Sequence, residues 1–368
     1  MSWPLASIAF ATLMSCHPSA STSFEPATPS GECLLFRNNP SGVIGMDVGA
    51  SVSLGGGRSL FIFGDTFLGS FNANGSRNAS GAVHSSVAIV EDAQSASCFS
   101  GTAFLSDAGA VEQILDPTED MAWPLGPAMV DGGGLALLYT WVKSDSSQPL
   151  GFDTLGNGIV SGALGSPISL DVAALSAPAT EAMPAAWLVH DGYAYLYRCG
   201  TQVGPGFDPC VVGRAPAASL AVLAAYQYFV AGAGYTGSYA EATIVTEGTA
   251  AFSVTYNAYL SAYLELYVEP FAPWVSVRTA SAPEGPFSSK LNVWPCSLPA
   301  DDPNAYCYAA FEHPQLDSAS GRRVAFSYST NSTKFASMLS HPNVNWPRLA
   351  SVDLADAGVV VARVGVLR

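Results

Sequence analysis

Residues 45–71 read GMDVGASVSLGGGRSLFIFGDTFLGSF, two alternating apolar runs on either side of Gly55, Gly56 and Gly57. Side chains with a period of two, flanking a glycine-rich turn, predict a β-hairpin. The phrase recurs as PAMV-DGGG-LALLYTW, AWLV-HDG-YAYLYR, ATIV-TEG-TAAFSVTY and PQLD-SASG-RRVAFSYS, with turns near Gly132, Asp191, Gly248 and Gly321. These intervals exceed the roughly 40–50 residues of common propeller repeats, and they suit blades with long loops. Five hairpins, each with an aromatic second strand, predict an all-β, five-bladed β-propeller over residues 41–368; a two-sheet sandwich is the rival. The best helical stretch, AASLAVLA at 217–224, is only about two turns long.

The 368 residues carry 14 Lys+Arg against 29 Asp+Glu, a net charge of −15, and are 49% hydrophobic. That is enough apolar material for a core, which excludes a disordered chain. The acidic balance excludes a duplex nucleic-acid binder, which needs a basic stripe for phosphate. Residues 2–16, SWPLASIAFATLMSC, form an apolar stretch too short to span a bilayer and read as an export signal. Its end, LMSC, resembles a lipobox with Cys16 as the lipidated residue, although no Lys or Arg precedes the stretch. Residues 17–40, rich in Ser, Thr and Pro in their first half, then form a tether.

Seven cysteines is an odd number for an exported chain, and assigning Cys16 to lipid leaves six. Cys199 and Cys210 bracket one loop, Cys296 and Cys307 bracket another, and Cys33 and Cys98 remain for each other. One lipid and three bridges fit an oxidising, extracytoplasmic compartment at the cell surface or beyond. With no CxxC and no Cys/His cluster, metal ligation by these thiols is not expected; no cofactor is expected either, with a cation such as Ca²⁺ held in a channel by scattered Asp residues as the open alternative.

In a chain with 12% charged residues, an acid inside an apolar, glycine-rich strand stands out, because burying a lone carboxylate costs several kcal/mol. Asp47 (GMDVG) and Asp65 (FGDTF) are such acids, each nine residues from Gly56. A ladder symmetric about Gly56 would set them opposite each other, with Cβ atoms about 4.5–5.5 Å apart, and a one-residue slip would separate them. Two carboxylates held that close cannot both ionise easily, so one keeps its proton; glycoside hydrolysis needs such an acid beside a nucleophile or base. The plainer alternative is that Asp65 caps a turn and Asp47 starts a strand.

The same segment resembles the opening of the bacterial five-bladed β-propeller family, formerly of unknown function, that includes endo-D-arabinanases. The likeness continues through HSSVAIV at 84–90, YQYF at 226–229, YAEAT at 239–243, APEGPF at 282–287 and HPQLDSASGRRVAFSYSTNS at 313–332. It implies a glycosidase cutting internal bonds of a D-arabinan-type polysaccharide, with Asp47 and Asp65 as catalytic acids at the mouth of a central channel.

Glu241, in SYAEATIV, is a third candidate acid or, in a supporting role, a substrate ligand; the plainer alternative is a channel carboxylate paired with Arg. His84 and His313 could meet sugar hydroxyls or tune the aspartate pair, although a lone histidine is more often structural. Trp123 and Tyr226, with Trp141 and Trp274, could offer sugar platforms, although core packing accounts for most aromatics. Glu312 is an acid or a salt-bridged rim residue. The expected partner is a polysaccharide, with no nucleic acid, membrane contact only through a lipid on Cys16, and a monomeric chain. Two rivals are a noncatalytic glycan- or protein-binding surface propeller and an exo-acting arabinofuranosidase.

Overall fold

The computed structural model describes residues 31–361 apart from 108, 116–119, 131–132, 148–150, 165–168, 171–176, 179–182, 201–207 and 250. The leader, Cys16, the tether up to residue 30 and the turn at Gly132 lie outside the described residues.

The fold is all-β. Five antiparallel sheets follow one another along the chain, and each opens on a strand that forms its edge. These leading strands are Val48–Gly55, Met121–Val130, Met183–His190, Ser253–Asn257 and Ala305–Glu312. Each is a neighbour of the leading strands before and after it, and Ala305–Glu312 also meets Val48–Gly55. The short strand Cys33–Leu34 joins the last sheet, pairing Cys33 with Leu349 and Leu34 with Arg348. Two further small sheets flank these five among the described residues, one of them formed by Val43–Gly45, Thr66–Phe71 and Arg77–Val83.

Strand alternation explains why the sheets stack. In Arg58–Phe63, Leu60 and Ile62 point to one face and Phe61 and Phe63 to the other, and all four are fully buried. Leu60 and Ile62 pack with Leu135, Leu137 and Tyr139 of the second sheet. Phe61 and Phe63 pack with Trp346 and Leu349 of the last. The same division recurs: Ala136 and Leu138 meet Ala194 and Leu196, while Tyr195 and Tyr197 meet Tyr263 and Tyr267. Leu264 and Leu266 then meet Val324, Phe326 and Tyr328. A second strand buried on both faces is why those segments read as unbroken apolar runs rather than clean alternation.

Two of the five expected hairpins are drawn differently. ATIV and FSVTY do not pair with each other, because Ile244–Gly248 joins Asp208–Pro216 in the third sheet. The fourth hairpin is instead Ser253–Asn257 with Ala262–Val268. In the fifth, PQL is a short 3-10 turn, and the strand pairing with Arg323–Ser332 is Ala305–Glu312. Residues 217–224 hold two 3-10 turns, not a helix. The α-helix among the described residues is Phe335–Ser340, and no described helix is long and apolar enough to cross a membrane.

All three expected disulfides are present, with Cα separations of 6.2 Å for Cys33–Cys98, 4.1 Å for Cys199–Cys210 and 6.3 Å for Cys296–Cys307. Beside Cys33, the carboxylate of Glu32 is buried and accepts from Trp294 Nε1 (3.0 Å), Tyr328 Oη (2.5 Å) and Arg348 (2.8 Å). The first bridge closes a separation of 65 residues, so loop-closure entropy assigns it roughly 4 kcal/mol. The double variant Cys33→Ala/Cys98→Ala is expected to lose stability of that order, read as a lower denaturant midpoint with an intact final fold.

Candidate active site

Asp47 and Asp65 occupy the two crossings between the first main sheet and the decorating one. Asp47 lies between Val43–Gly45 and Val48–Gly55, and Asp65 between Arg58–Phe63 and Thr66–Phe71. Their environment is fixed from both sides. Thr66 Oγ1 donates to Gly64 O (2.9 Å) and pairs with Ser86 Oγ (2.7 Å). The buried Arg77 guanidinium donates to the carbonyls of Ile44, Met338, Pro342 and Val344, pinning the decorating sheet to the loop beyond Phe335–Ser340. Burial and the nearby Arg37 lower that guanidinium to about 9.

The two aspartates are neighbours, but not as a directly opposed pair. Register shifts flank the hairpin, one of them between Val48 and Ala50, so Val48 faces Phe63 and the Gly64 amide donates to Asp47 O at 3.2 Å. Val48 and Gly49 both have left-handed backbone, φ 70° and 86°. A β-branched residue there is strained, and the strain sits beside the site. The bulge sets Asp47 against Gly64 and leaves its carboxyl close enough to feel the charge of Asp65, with Asp47 Oδ1 buried and without a hydrogen-bond partner among the described residues.

The two carboxyls live in different surroundings. Burial, reinforced by the charge of Asp65, pushes Asp47 up to about 7, against the pull of the Tyr308 hydroxyl, the Asp65 amide and His84. Tyr308 Oη donates to Asp47 Oδ2 at 2.8 Å, and Asn331 Nδ2 donates to Tyr308 Oη at 3.3 Å. Asp65 Oδ1 instead accepts from Trp123 Nε1 at 2.9 Å and lies 2.7 Å from His84 Nδ1. The Asp65 and His84 side chains reach solvent at 34% and 22% exposure. Gln113 Oε1 accepts the His84 amide at 2.9 Å, and Trp123 packs edge-on against Phe152 with centroids 4.7 Å apart. The result is an acid whose titration is raised to about 7 beside a hydrogen-bonded, solvent-reaching acid, an arrangement suited to acid–base chemistry.

Tyr308→Phe removes a donor to the charged form of Asp47. Its titration is expected to move above about 7, read by carboxyl NMR, with little change in melting temperature.

A protein-family model described as a domain of unknown function, DUF5005, matches residues 34–351. The chain belongs to the DUF5005 family. No curated protein matches this DUF5005 chain. Among solved structures it resembles a putative hydrolase from Bacteroides ovatus ATCC 8483, with 16% identity and a TM-score of 0.59 over 85% of this chain and 87% of that one. It also resembles a GH43_1 enzyme from Xanthomonas citri complexed with xylose, with 14% identity and a TM-score of 0.50 over 86% and 91% of the two chains. An exo-β-1,3-galactanase from Phanerochaete chrysosporium with β-1,3-galactotriose has 12% identity and a TM-score of 0.50 over 91% and 67%. At such identities the likeness is one of fold.

In the DUF5005 chain, His84 and Trp123 join the aspartates, whereas the other expected sugar ligands do not. Glu241 is exposed on a 3-10 turn, where it completes a capping box with Ser238; those hydrogen bonds lower its carboxyl, and it is neither in an apolar strand nor paired with Arg. Tyr226 is buried and donates to Leu220 O at 2.8 Å, so it packs the third sheet. His313 is fully buried under Phe61 with Nδ1 2.6 Å from Ser51 Oγ, and burial drives it down to about 3. Trp141 packs against the core, and Trp274 is exposed on the fourth sheet. Glu312 is buried, holds Thr255 Oγ1, and is pushed well up by burial and by Asp317 rather than forming a rim ion pair.

Tyr308, Asn331, Gln113 and Gly64 complete the site without having been singled out from the sequence. Tyr308 is 261 residues from Asp47, so no local pattern joins them. Gly64 had a signal in the GDT phrase: a Cβ there would lie 2.3 Å from Asp47 Oδ1.

Proposed function

We propose that the protein is a five-bladed β-propeller glycoside hydrolase, the five main sheets being its blades and Cys33–Leu34 the outer strand of the last. It cleaves internal bonds of a D-arabinan-type polysaccharide. The observation that carries the reading is the pair itself: Asp47, buried, held by Tyr308 and raised to about 7, beside Asp65, which is held by His84 and Trp123 and reaches solvent.

Asp47 gives its proton to the glycosidic oxygen as the bond to the anomeric carbon breaks, and the leaving chain departs as an alcohol. Asp65 supplies the opposing electron pair, either directly to the anomeric carbon or by taking a proton from the attacking water. His84 and Trp123 hold Asp65 in its orientation. Net, one water is consumed and one reducing end appears.

The xylose and β-1,3-galactotriose bound by two structures of similar fold support a sugar substrate. Neither aspartate lines the cavities of about 390 and 690 Å³ among the described residues, and Asp65 reaches solvent. The three disulfides fit an extracytoplasmic protein, and lipidation at Cys16 and a monomeric state complete the proposal.

The test is product analysis with purified protein on D-arabinan, L-arabinan, xylan and galactan. Oligosaccharides appearing early from D-arabinan are expected. Monosaccharide from the first time point selects exo action, and binding without new reducing ends on any glycan overturns catalysis.

A further inference from the structure

A cavity of about 690 Å³ opens among the leading strands of all five main sheets, on residues the aspartate site does not use. On three strands the order along the chain is the same. Asp47 precedes the lining residues Ser51 and Ser53, Trp123 precedes Met129, and Tyr308 precedes Glu312 and Gln315. The lining begins at Ala50, Leu125 and Phe311 and runs to Ser53, Met129 and Gln315; at about 3.3 Å per residue it starts roughly 7–10 Å along the strands from Asp47, Trp123 and Tyr308 and extends to roughly 20 Å. The cavity therefore begins beyond the aspartate site and extends toward the other end of the leading strands. Val48 and Ala309, buried in one packed cluster, lie between the two.

We propose that this cavity is a second binding site, for a neutral saccharide unit. Its wall carries aromatic planes set for stacking. Tyr256, 38% exposed, lies parallel to His190 with centroids 4.2 Å apart, and Tyr263 supports both edge-on. Trp187 Nε1 donates to Pro127 O at 3.1 Å, which turns its polar edge into the protein. Short polar groups share the lining: Ser51 accepts from Gln315 Nε2 at 2.7 Å, and Ser253 and Thr255 both engage Glu312. Among the described residues no Lys or Arg lines the cavity, which disfavours an anionic ligand. Apolar faces that pack a ring, beside hydroxyls and an amide that meet its edge, fit a polyhydroxylated, uncharged ring.

Isothermal titration of arabinotriose, xylotriose and galactotriose into the Asp65→Asn protein tests this, because that variant leaves the sugars intact. Two binding events per chain are expected for at least one sugar. Tyr256→Ala weakens one of them by roughly tenfold and leaves the other in place, while Trp123→Ala does the reverse. Gln315→Ala serves as a second cavity variant. A single event abolished by Trp123→Ala and untouched by both cavity variants overturns the proposal, as does the absence of binding by all three sugars. A protein that lacks hydrolytic activity but shows Tyr256-dependent binding would overturn the catalytic reading and leave this one standing.

Discussion

Asp47→Asn is expected to lower turnover by about 10²–10⁴-fold, the range for a positioned general acid, and to make the protein more stable at pH 8. The second result follows from the first group's environment. The folded chain holds the Asp47 proton up to about 7, whereas the unfolded chain releases it near 3.8. Between those values the unfolded state binds fewer protons, so this group's contribution to stability falls as pH rises and levels off above about 7. Asn has no proton to lose. The variant should therefore match wild type near pH 4 and exceed it at pH 8 by on the order of 1–3 kcal/mol, read as diverging melting temperatures. A structural anchor would behave differently, with stability lost at both pH values and activity lost only through unfolding. Asp65→Asn should also lose activity by a comparable factor. It removes the charge that helps hold the Asp47 proton, so Asp47 should then titrate below about 7.

How much of this was legible in the sequence depends on how local each feature is. The period-two runs and glycine turns identify an all-β chain, because alternation is imposed by the strand itself. The first hairpin and both aspartates are contained in 27 residues, and they could be read directly. The ladder between them could not: a bulge at Val48 and Gly49 shifts the register by one residue, and a valine with φ 70° is not what its residue type favours. The fourth hairpin failed for a related reason. Ile244–Gly248 alternates as well as its true neighbours do, but its partner, Asp208–Pro216, lies upstream in the third sheet. Glu241 was misplaced because an acid among apolar residues looks the same in a strand as in a capped 3-10 turn; the Ser238-x-x-Glu241 spacing was the available clue. Tyr308 and Asn331 reach the site only because the last sheet packs beside the first, which no local pattern reports.

Gly64→Ala should place a methyl group directly against the candidate acid. The Gly64 φ is not in the left-handed region, so the backbone does not demand glycine; what demands it is space. A Cβ at this position would lie 2.3 Å from Asp47 Oδ1 and 3.3 Å from Val48 Cγ2. Neither neighbour can retreat easily, since Asp47 is tethered through Oδ2 to Tyr308 and Val48 is held in a strained bulge within the core. Overpacking of this kind costs about 1–3 kcal/mol. The larger effect falls on function, because the carboxyl must swing away from its place beside Asp65, and misplacing a reacting group by about 1 Å costs on the order of 10²-fold in rate. The expected signature is a fall in kcat of that size with KM nearly unchanged, together with a modest loss of melting temperature. Asp47→Gly in the Gly64→Ala background separates the two effects: removing the carboxyl relieves the clash and recovers stability without recovering turnover. Equal stability losses in Gly64→Ala and in the double variant would instead place the clash on Val48 alone, and Asp47 would keep its position.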